Sequence, residues 1–361
     1  MADGRDRRRA ALRAELAGQG LDALVVAGGA NIRYLTGFTG SSGQLLIGPD
    51  RTVLVTDFRY AAQAPGEVGA EVTVRVEKSS LWQGLRQTAQ GMGVHRLGID
   101  RGRVTLAEAE ELRQLSGVEL VPIGGLVERL RAAKDQTEVA AIREAAGLAT
   151  GALEAIMGFI RPGRTEVEIA AELEAALRKR GSEWHPFQSI VASGPRSALP
   201  HARSTSRTVE RGDWLVIDFG AQVDGYCSDI TRTIVVGSKA DERQKATYRV
   251  VQDAQARARG ALRAGLTGRE GDSLARDLIA KAGMGEAFGH SLGHGLGLEV
   301  HEEPRLSQTN EGLLPAGAVV TVEPGVYFEG WGGIRIEDDV VLSPDGAECL
   351  SDGRTDLVEL T

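Results

Sequence analysis

At 361 residues the chain is long enough for two domains, each with a core that needs no covalent staple. Its two cysteines, Cys227 and Cys349, lie far apart, which excludes a disulfide framework and fits a reducing cytosol. Lys and Arg total 42 against 50 Asp and Glu, and the net charge of −8 gives no electrostatic reason to expect nucleic acid. The polar start from Met1 to Arg9 leads into no apolar run fit for a signal peptide or a membrane span, so a soluble, cytoplasmic protein is expected.

Arg7 to Leu16 reads as a surface helix ending near Gly18 and Gly20, and Leu21 to Ala27 as a buried strand stopped by Gly28 and Gly29. Gln44 to Ile47 and Thr52 to Thr56 are short strands around the turn Gly48-Pro49-Asp50-Arg51. A strand at Val72 to Val76, a helix at Leu81 to Gly91, a strand at Leu97 to Asp100, a helix at Leu106 to Leu115 and a strand at Glu119 to Pro122 complete an α/β domain. This part holds no carboxylates and histidines at telling spacings, and His95 reads as a surface residue. Its expected role is positioning or assembly.

The domain boundary is expected near Lys134, with residues 1–130 before it and 131–361 after it. Asp135 with Glu138 forms a capping box opening a long helix, whose apolar stripe runs through Val139, Ile142, Ala146, Ala149, Leu153, Ile156 and Ile160. Thr165 and Glu168 repeat the signal for a second helix through Leu177, and a later helix is expected from Asp241 to about Leu262. Helices followed by strands predict an α+β domain with its sheet covered on one face.

The apolar strand from Trp214 ends in Asp218, and after the turn Val223-Asp224-Gly225 the return strand from Tyr226 to Val236 carries Asp229. The two acids can meet across this hairpin, where a pair of buried carboxylates needs a shared proton or a cation. Asp224 is an ordinary turn acid. The strand Val319 to Val322 ends in Glu323, and alternation from Ile334 to Glu337 places Arg335 and Glu337 on one face.

Three of the six histidines, His290, His294 and His301, fall within Gly289 to Pro304. Four glycines there rule out a helix, so this is a loop or short strand that displays imidazoles. The zincin helix motif is absent, since Ser291 follows His290. Gly289 to Gly293 also matches the serine-hydrolase elbow, but no buried strand precedes it and no histidine follows His301. Asp218, Asp229, Glu323 and Glu337 bring four negative charges, and with a neutral His294 they balance two divalent cations. An oxygen-rich set with one imidazole suits Mn²⁺, Co²⁺ or Zn²⁺.

In order and spacing, Asp218, Asp229, His294 in GHGLG, Glu323 in VEPG and Glu337 in RIEDD resemble the five-ligand signature of the pita-bread metallopeptidases. The segments Asn31 to Gly43 and Ile190 to Ala202, with Arg335 before the last ligand, make the chain similar to the Xaa-Pro group, aminopeptidase P and prolidase, over nearly its whole length. The resemblance implies a pita-bread catalytic domain preceded by a smaller creatinase-like domain. It also implies two divalent metals, Mn²⁺ before Co²⁺ or Zn²⁺, whose bridging hydroxide cleaves the Xaa–Pro bond of short peptides. Glu323 would shuttle the proton, His201 and His301 would stabilise the intermediate and hold the substrate carbonyl, His290 would line the substrate side, and Arg335 would bind substrate or orient groups near Glu337. His185, beside Trp184 and Phe187, reads as a surface or pocket-wall residue. A homodimer is expected. Aminopeptidase and dipeptidase remain open, and the alternatives are a non-catalytic binding protein on this fold and a methionine aminopeptidase.

Overall fold

The computed structural model describes residues 4–351 and 354–361. The chain divides into two compact units, Met1–Arg131 and Ala132–Thr361. In the first, a six-stranded sheet runs in the order Val72–Glu77, Thr52–Asp57, Gly43–Ile47, Ala23–Val26, Arg96–Asp100 and Glu119–Ile123. The pairings among 23–26, 43–47 and 52–57 are antiparallel and the others parallel. One face is packed by Leu85, Ala89, Ala109 and Leu112 from the helices Leu81–Gly91 and Leu106–Arg113. A helix at Gly29–Thr36, for which the sequence carried no periodic signal, ends on Gly37 in the left-handed region.

The second unit has two main sheets, each backed by a helix pair. The first sheet has the order Val358–Leu360, Ile230–Val236, Trp214–Phe219, Ile190–Ser193. Helices Gln136–Ile156 and Glu166–Arg180 cover it, with Ala145, Ala149, Ile169 and Leu173 packed on Leu215, Ile217 and Ile234. The second has the order Glu302–Leu306, Gly293–Gly295, Val319–Val322, Asp338–Ser343, Gly346–Cys349. Its helices are Glu242–Ala261 and Gly268–Lys281, and Val251, Ala258, Ala275 and Ile279 join Val320, Val322 and Val340 in one core. This is the expected α+β arrangement.

Local chemistry explains the helix starts. The capping boxes at Asp135/Glu138, Thr165/Glu168 and Asp241/Gln244 are all formed, and each satisfies donors that a helix start leaves open. A fourth, Thr267/Glu270, opens a helix that sequence reasoning did not assign.

Two expected continuous strands are interrupted. The return strand from Tyr226 breaks after Cys227 and resumes at Ile230, because Ser228 N–H bonds Ala221 O at 3.0 Å and Asp229 N–H is drawn to Asp339 Oδ2 at 3.1 Å. The strand ending at Arg335 likewise stops before Asp338, because Ile336 N–H donates to Pro324 O and Glu337 N–H to Thr231 O. Both breaks fall at acids of the candidate site.

Candidate metal centre

The hairpin of the first sheet supplies two acids. Its strands pair Asp218 with Thr231 and Phe219 with Ile230, and the tip Asp224-Gly225 has φ of 47° and 76° at its two residues. That is the primed turn that matches strand twist. Gly220 has no room for a side chain, since a Cβ would strike the Ser228 carbonyl oxygen. The two arms are therefore pressed together just below Asp218 and Asp229.

The second sheet delivers the imidazole. Gly293 and Gly295 flank His294 because a Cβ on either would collide with the backbone of Thr321 or Glu303. His294 N–H donates to Thr321 Oγ1 at 3.1 Å, and Thr321 in turn donates to Glu323 at 3.2 Å. Its Nδ1 bonds Gly295 O at 3.1 Å, which leaves Nε2 facing Glu323 Oε1 at 3.4 Å and Asp229 Oδ2 at 3.7 Å. Ligand atoms of Asp229, His294 and Glu337 lie within 4.8 Å of one another, and all three residues are buried.

Asp218 joins the cluster through a cation. Arg335 Nη2 contacts its Oδ2 at 2.5 Å, while Nε bonds Thr231 Oγ1 at 3.0 Å and Nη1 bonds Tyr327 OH at 2.8 Å and Pro200 O at 3.2 Å. Among the described residues, Arg335 is hydrogen-bonded to Glu337 by way of Thr231, whose hydroxyl donates to Glu337 Oε2 at 2.6 Å. The guanidinium thus holds one acid directly and a second through a hydroxyl.

Electrostatics follow from burial. Burial, with Glu337, Asp218 and Glu323 around it, pushes Asp229 well above the usual carboxylate range. Burial and the charges of Glu323 and Asp218 do the same to Glu337. Burial raises Glu323 to about 7, against the pull of Arg335. For His294 burial lowers the pKa to about 3, so the imidazole is neutral and keeps a lone pair for a ligand. Burial opposes the charge of Arg335, but Tyr327, Asp218, Glu337 and Glu323 outweigh it and hold the guanidinium charged.

These side chains fit cations. Crowded acids that resist ionisation beside a neutral imidazole are what an oxygen-rich metal site requires, and Asp218 Oδ1 and Asp339 Oδ1 are buried without a hydrogen-bond partner among the described residues.

The remaining histidines take different places. The His301 ring lies 4.3 Å from that of His294, and burial lowers its pKa. His290 Nε2 meets Tyr327 OH at 3.1 Å, and burial takes its pKa down to about 4. His201 is exposed and follows Pro200, whose carbonyl binds Arg335; its charge acts on both His290 and His301. His185 stacks on Trp184 at 4.5 Å, and His95 is exposed in the first unit. Ser291 leads into the strand at 293–295 rather than a helix, and its carbonyl accepts from His290. No elbow is built there.

Sequence reasoning missed Thr231, Thr321, Tyr327 and Asp339. Thr231 carried a usable signal, since it lies two residues past Asp229 and alternation in the expected strand puts both on one face. A lone Tyr327 in a ribbon strand carried none.

Comparison with known proteins places this geometry. Residues 140–344 match metallopeptidase family M24, and residues 8–133 match the creatinase/prolidase N-terminal domain. An Xaa-Pro dipeptidase of Pyrococcus horikoshii is 38% identical over 341 residues, covering 94% of this chain and 95% of that protein. Among solved structures, an Xaa-Pro dipeptidase from Bacillus anthracis superposes with a TM-score of 0.95 at 39% identity, over 99% of this chain and 100% of that one. An X-Pro aminopeptidase from Thermotoga maritima has a TM-score of 0.88 at 40% identity, over 94% and 98% of the two chains. The two helix-backed sheets of the second unit are accordingly the pita-bread fold, and the chain belongs to metallopeptidase family M24, with a creatinase/prolidase N-terminal domain ahead of the peptidase domain.

Proposed function

We propose that the chain hydrolyses the Xaa–Pro bond at the N-terminus of short peptides, with residues 1–130 as the creatinase-like domain and 131–361 as the catalytic domain. Asp218, Asp229, His294, Glu323 and Glu337 would hold two divalent cations, Mn²⁺ before Co²⁺ or Zn²⁺. One observation carries the reading: ligand atoms of buried Asp229, His294 and Glu337 lie within 4.8 Å of one another, with Glu323 3.4 Å from the neutral imidazole and Asp218 held beside them by Arg335.

Two such cations, held by these five residues, would supply Lewis-acid polarisation of the scissile carbonyl and a water acidic enough to serve as nucleophile near neutral pH. Glu323, 3.4 Å from His294 and braced by Thr321, is placed to take that proton and hand it to the departing proline nitrogen. His301, whose ring lies 4.3 Å from that of His294, and the exposed His201 are the donors for the oxygen where negative charge develops. His290, fixed by Tyr327, lines the substrate side, and Arg335 orients Asp218 and the substrate end.

An Xaa–Pro bond lacks an amide N–H, so peptidases that pair with substrate backbone handle it poorly. A site that attacks the carbonyl directly avoids that demand. The names of the relatives divide between dipeptidase and aminopeptidase. Proline-containing peptides are the substrate class in either case. Two free cysteines accord with a reducing cytoplasm, and a two-fold homodimer is the expected assembly.

The test is hydrolysis of Ala-Pro and of Ala-Pro-Pro by chelator-treated protein, with and without Mn²⁺. Cleavage of the dipeptide alone, restored by metal, names a dipeptidase; cleavage of the longer peptide names an aminopeptidase. Metal binding without turnover of either peptide would overturn the substrate assignment.

A further inference from the structure

Behind the acids stands a second charged group that the proposed chemistry does not use. Arg232 is 6% exposed and Asp338 is fully buried, and they meet at 2.8 Å. Each immediately follows a residue of the site, Arg232 after Thr231 and Asp338 after Glu337. Alternation sends the two sets to opposite faces. In front, Thr231 donates to Glu337 and Asp339 accepts from Asp229 N–H. At the back, Asp338 takes Arg232, Gln255 at 2.6 Å, Arg259 at 2.8 Å and Ser351 at 3.1 Å.

The guanidinium of Arg232 does more than neutralise an acid. Its Nη1 donates to Glu337 O at 2.6 Å and to Thr231 O at 2.9 Å, and its Nε to Arg354 O at 2.8 Å. Glu337 N–H also donates to Thr231 O at 3.1 Å. The peptide units on both sides of the Glu337 side chain are therefore tied to the 230–236 strand where regular sheet pairing has stopped.

The geometry points to the Arg232–Asp338 pair as a register lock: it sets the 230–236 strand, which Asp229 immediately precedes, against the segment bearing Glu337, so that both carboxylates face one point. This rests on the metal-site reading above. Both are positioning residues, since neither faces the cluster. A buried ion pair is weak evidence for stability but well suited to fixing one alignment among several. Supports of this kind behind metal ligands typically govern affinity by roughly 10- to 100-fold.

The experiment uses the full chain, with Co²⁺ as probe followed by calorimetry and visible absorption, beside thermal unfolding of the metal-free protein. R232K and D338N are expected to keep the fold and lose roughly tenfold or more in Co²⁺ affinity. The double variant R232M/D338L removes both members of the pair but leaves Arg259, Gln255 and Ser351 without Asp338, so metal-free stability should return only part of the way towards wild type while Co²⁺ affinity stays low. Should a single variant fail to fold, the double variant carries the same readout. Unchanged Co²⁺ affinity in a folded variant, or affinity that returns together with stability in the double variant, would overturn the lock. Wild-type protein that binds no Co²⁺ would sink the metal reading and this inference with it, whereas wild type that binds Co²⁺ but leaves both Ala-Pro and Ala-Pro-Pro intact would fault the substrate alone.

Discussion

Arg335 and Asp218 lie 117 positions apart in the chain and touch at 2.5 Å, in a contact with both side chains nearly sealed from solvent. The arginine is the counter-charge for a cluster that otherwise holds Asp218, Asp229, Glu323 and Glu337. Removing it by Arg335→Ala leaves those acids facing one another, and breaking a buried pair of this kind costs about 3–5 kcal/mol. Urea denaturation of the metal-free protein at pH 7.5 checks this, and the loss should shrink at pH 5, where the acids can take up protons. An equal loss at both pH values would contradict the role assigned to Arg335.

The hydroxyl of Thr231 serves Glu337 and Arg335 at once. Thr231→Val keeps the shape and removes the hydroxyl, leaving Glu337 free to turn. Affinity for Mn²⁺ should fall roughly 10- to 100-fold, as for other supports of metal ligands, with the fold intact by circular dichroism. Titration with Mn²⁺ monitored by electron paramagnetic resonance gives the number directly.

Glu323→Gln keeps the size of the side chain and removes its ability to carry a proton. In the role proposed for it, kcat on Xaa-Pro substrates should fall by about 10²–10⁴-fold. Metal content of the purified variant should be measured beside the rate, because a loss explained by missing metal would leave the proton role unsupported.

Protonation sets the stability of the metal-free protein. An acid raised on folding contributes stability that is full below its unfolded pKa and is lost as pH climbs through the folded one; Asp229 and Glu337 are raised well above normal and Glu323 to about 7. His290 and His294, lowered to about 4 and about 3, act in the opposite sense and lose their contribution only as pH falls below their ordinary 6.5. The two sets offset each other between about 4.5 and 6.5, and above 6.5 only the acids still titrate. The unfolding midpoint of chelated protein should therefore drop from pH 6.5 to 8, and added Mn²⁺ should abolish the drop. A midpoint independent of pH in that range without metal would show that these acids are not raised.

Much of this was legible in the chain because the signals were local. Capping boxes at Asp135, Thr165 and Asp241 announce their helices within four residues, and acids that close apolar strands betray Asp218 and Glu323. The Thr267 box was hidden by Gly268 and Gly271, which lower helix propensity but sit where the helix packs closely against its neighbours. Asp339 reads as one more acid in a charged run, yet it is fully buried, and nothing local reveals that Asp229 N–H would seek it. Tyr327 was invisible because its partners, His290 and Arg335, arrive from other segments.

The pleat of the 230–236 strand places Thr231 on the face of the acids and Arg232 on the opposite face, and Glu337 and Asp338 divide in the same way. A chain of this design should tolerate changes of length very unevenly. One residue inserted within the strand between Ile230 and Arg232 would exchange front for back and turn Arg232 into the cluster. At the Asp224-Gly225 tip, outside that frame, an added residue disturbs only a turn. Insertion scanning would therefore map the site more sharply than alanine scanning, since it tests the parity of a position as well as its chemistry.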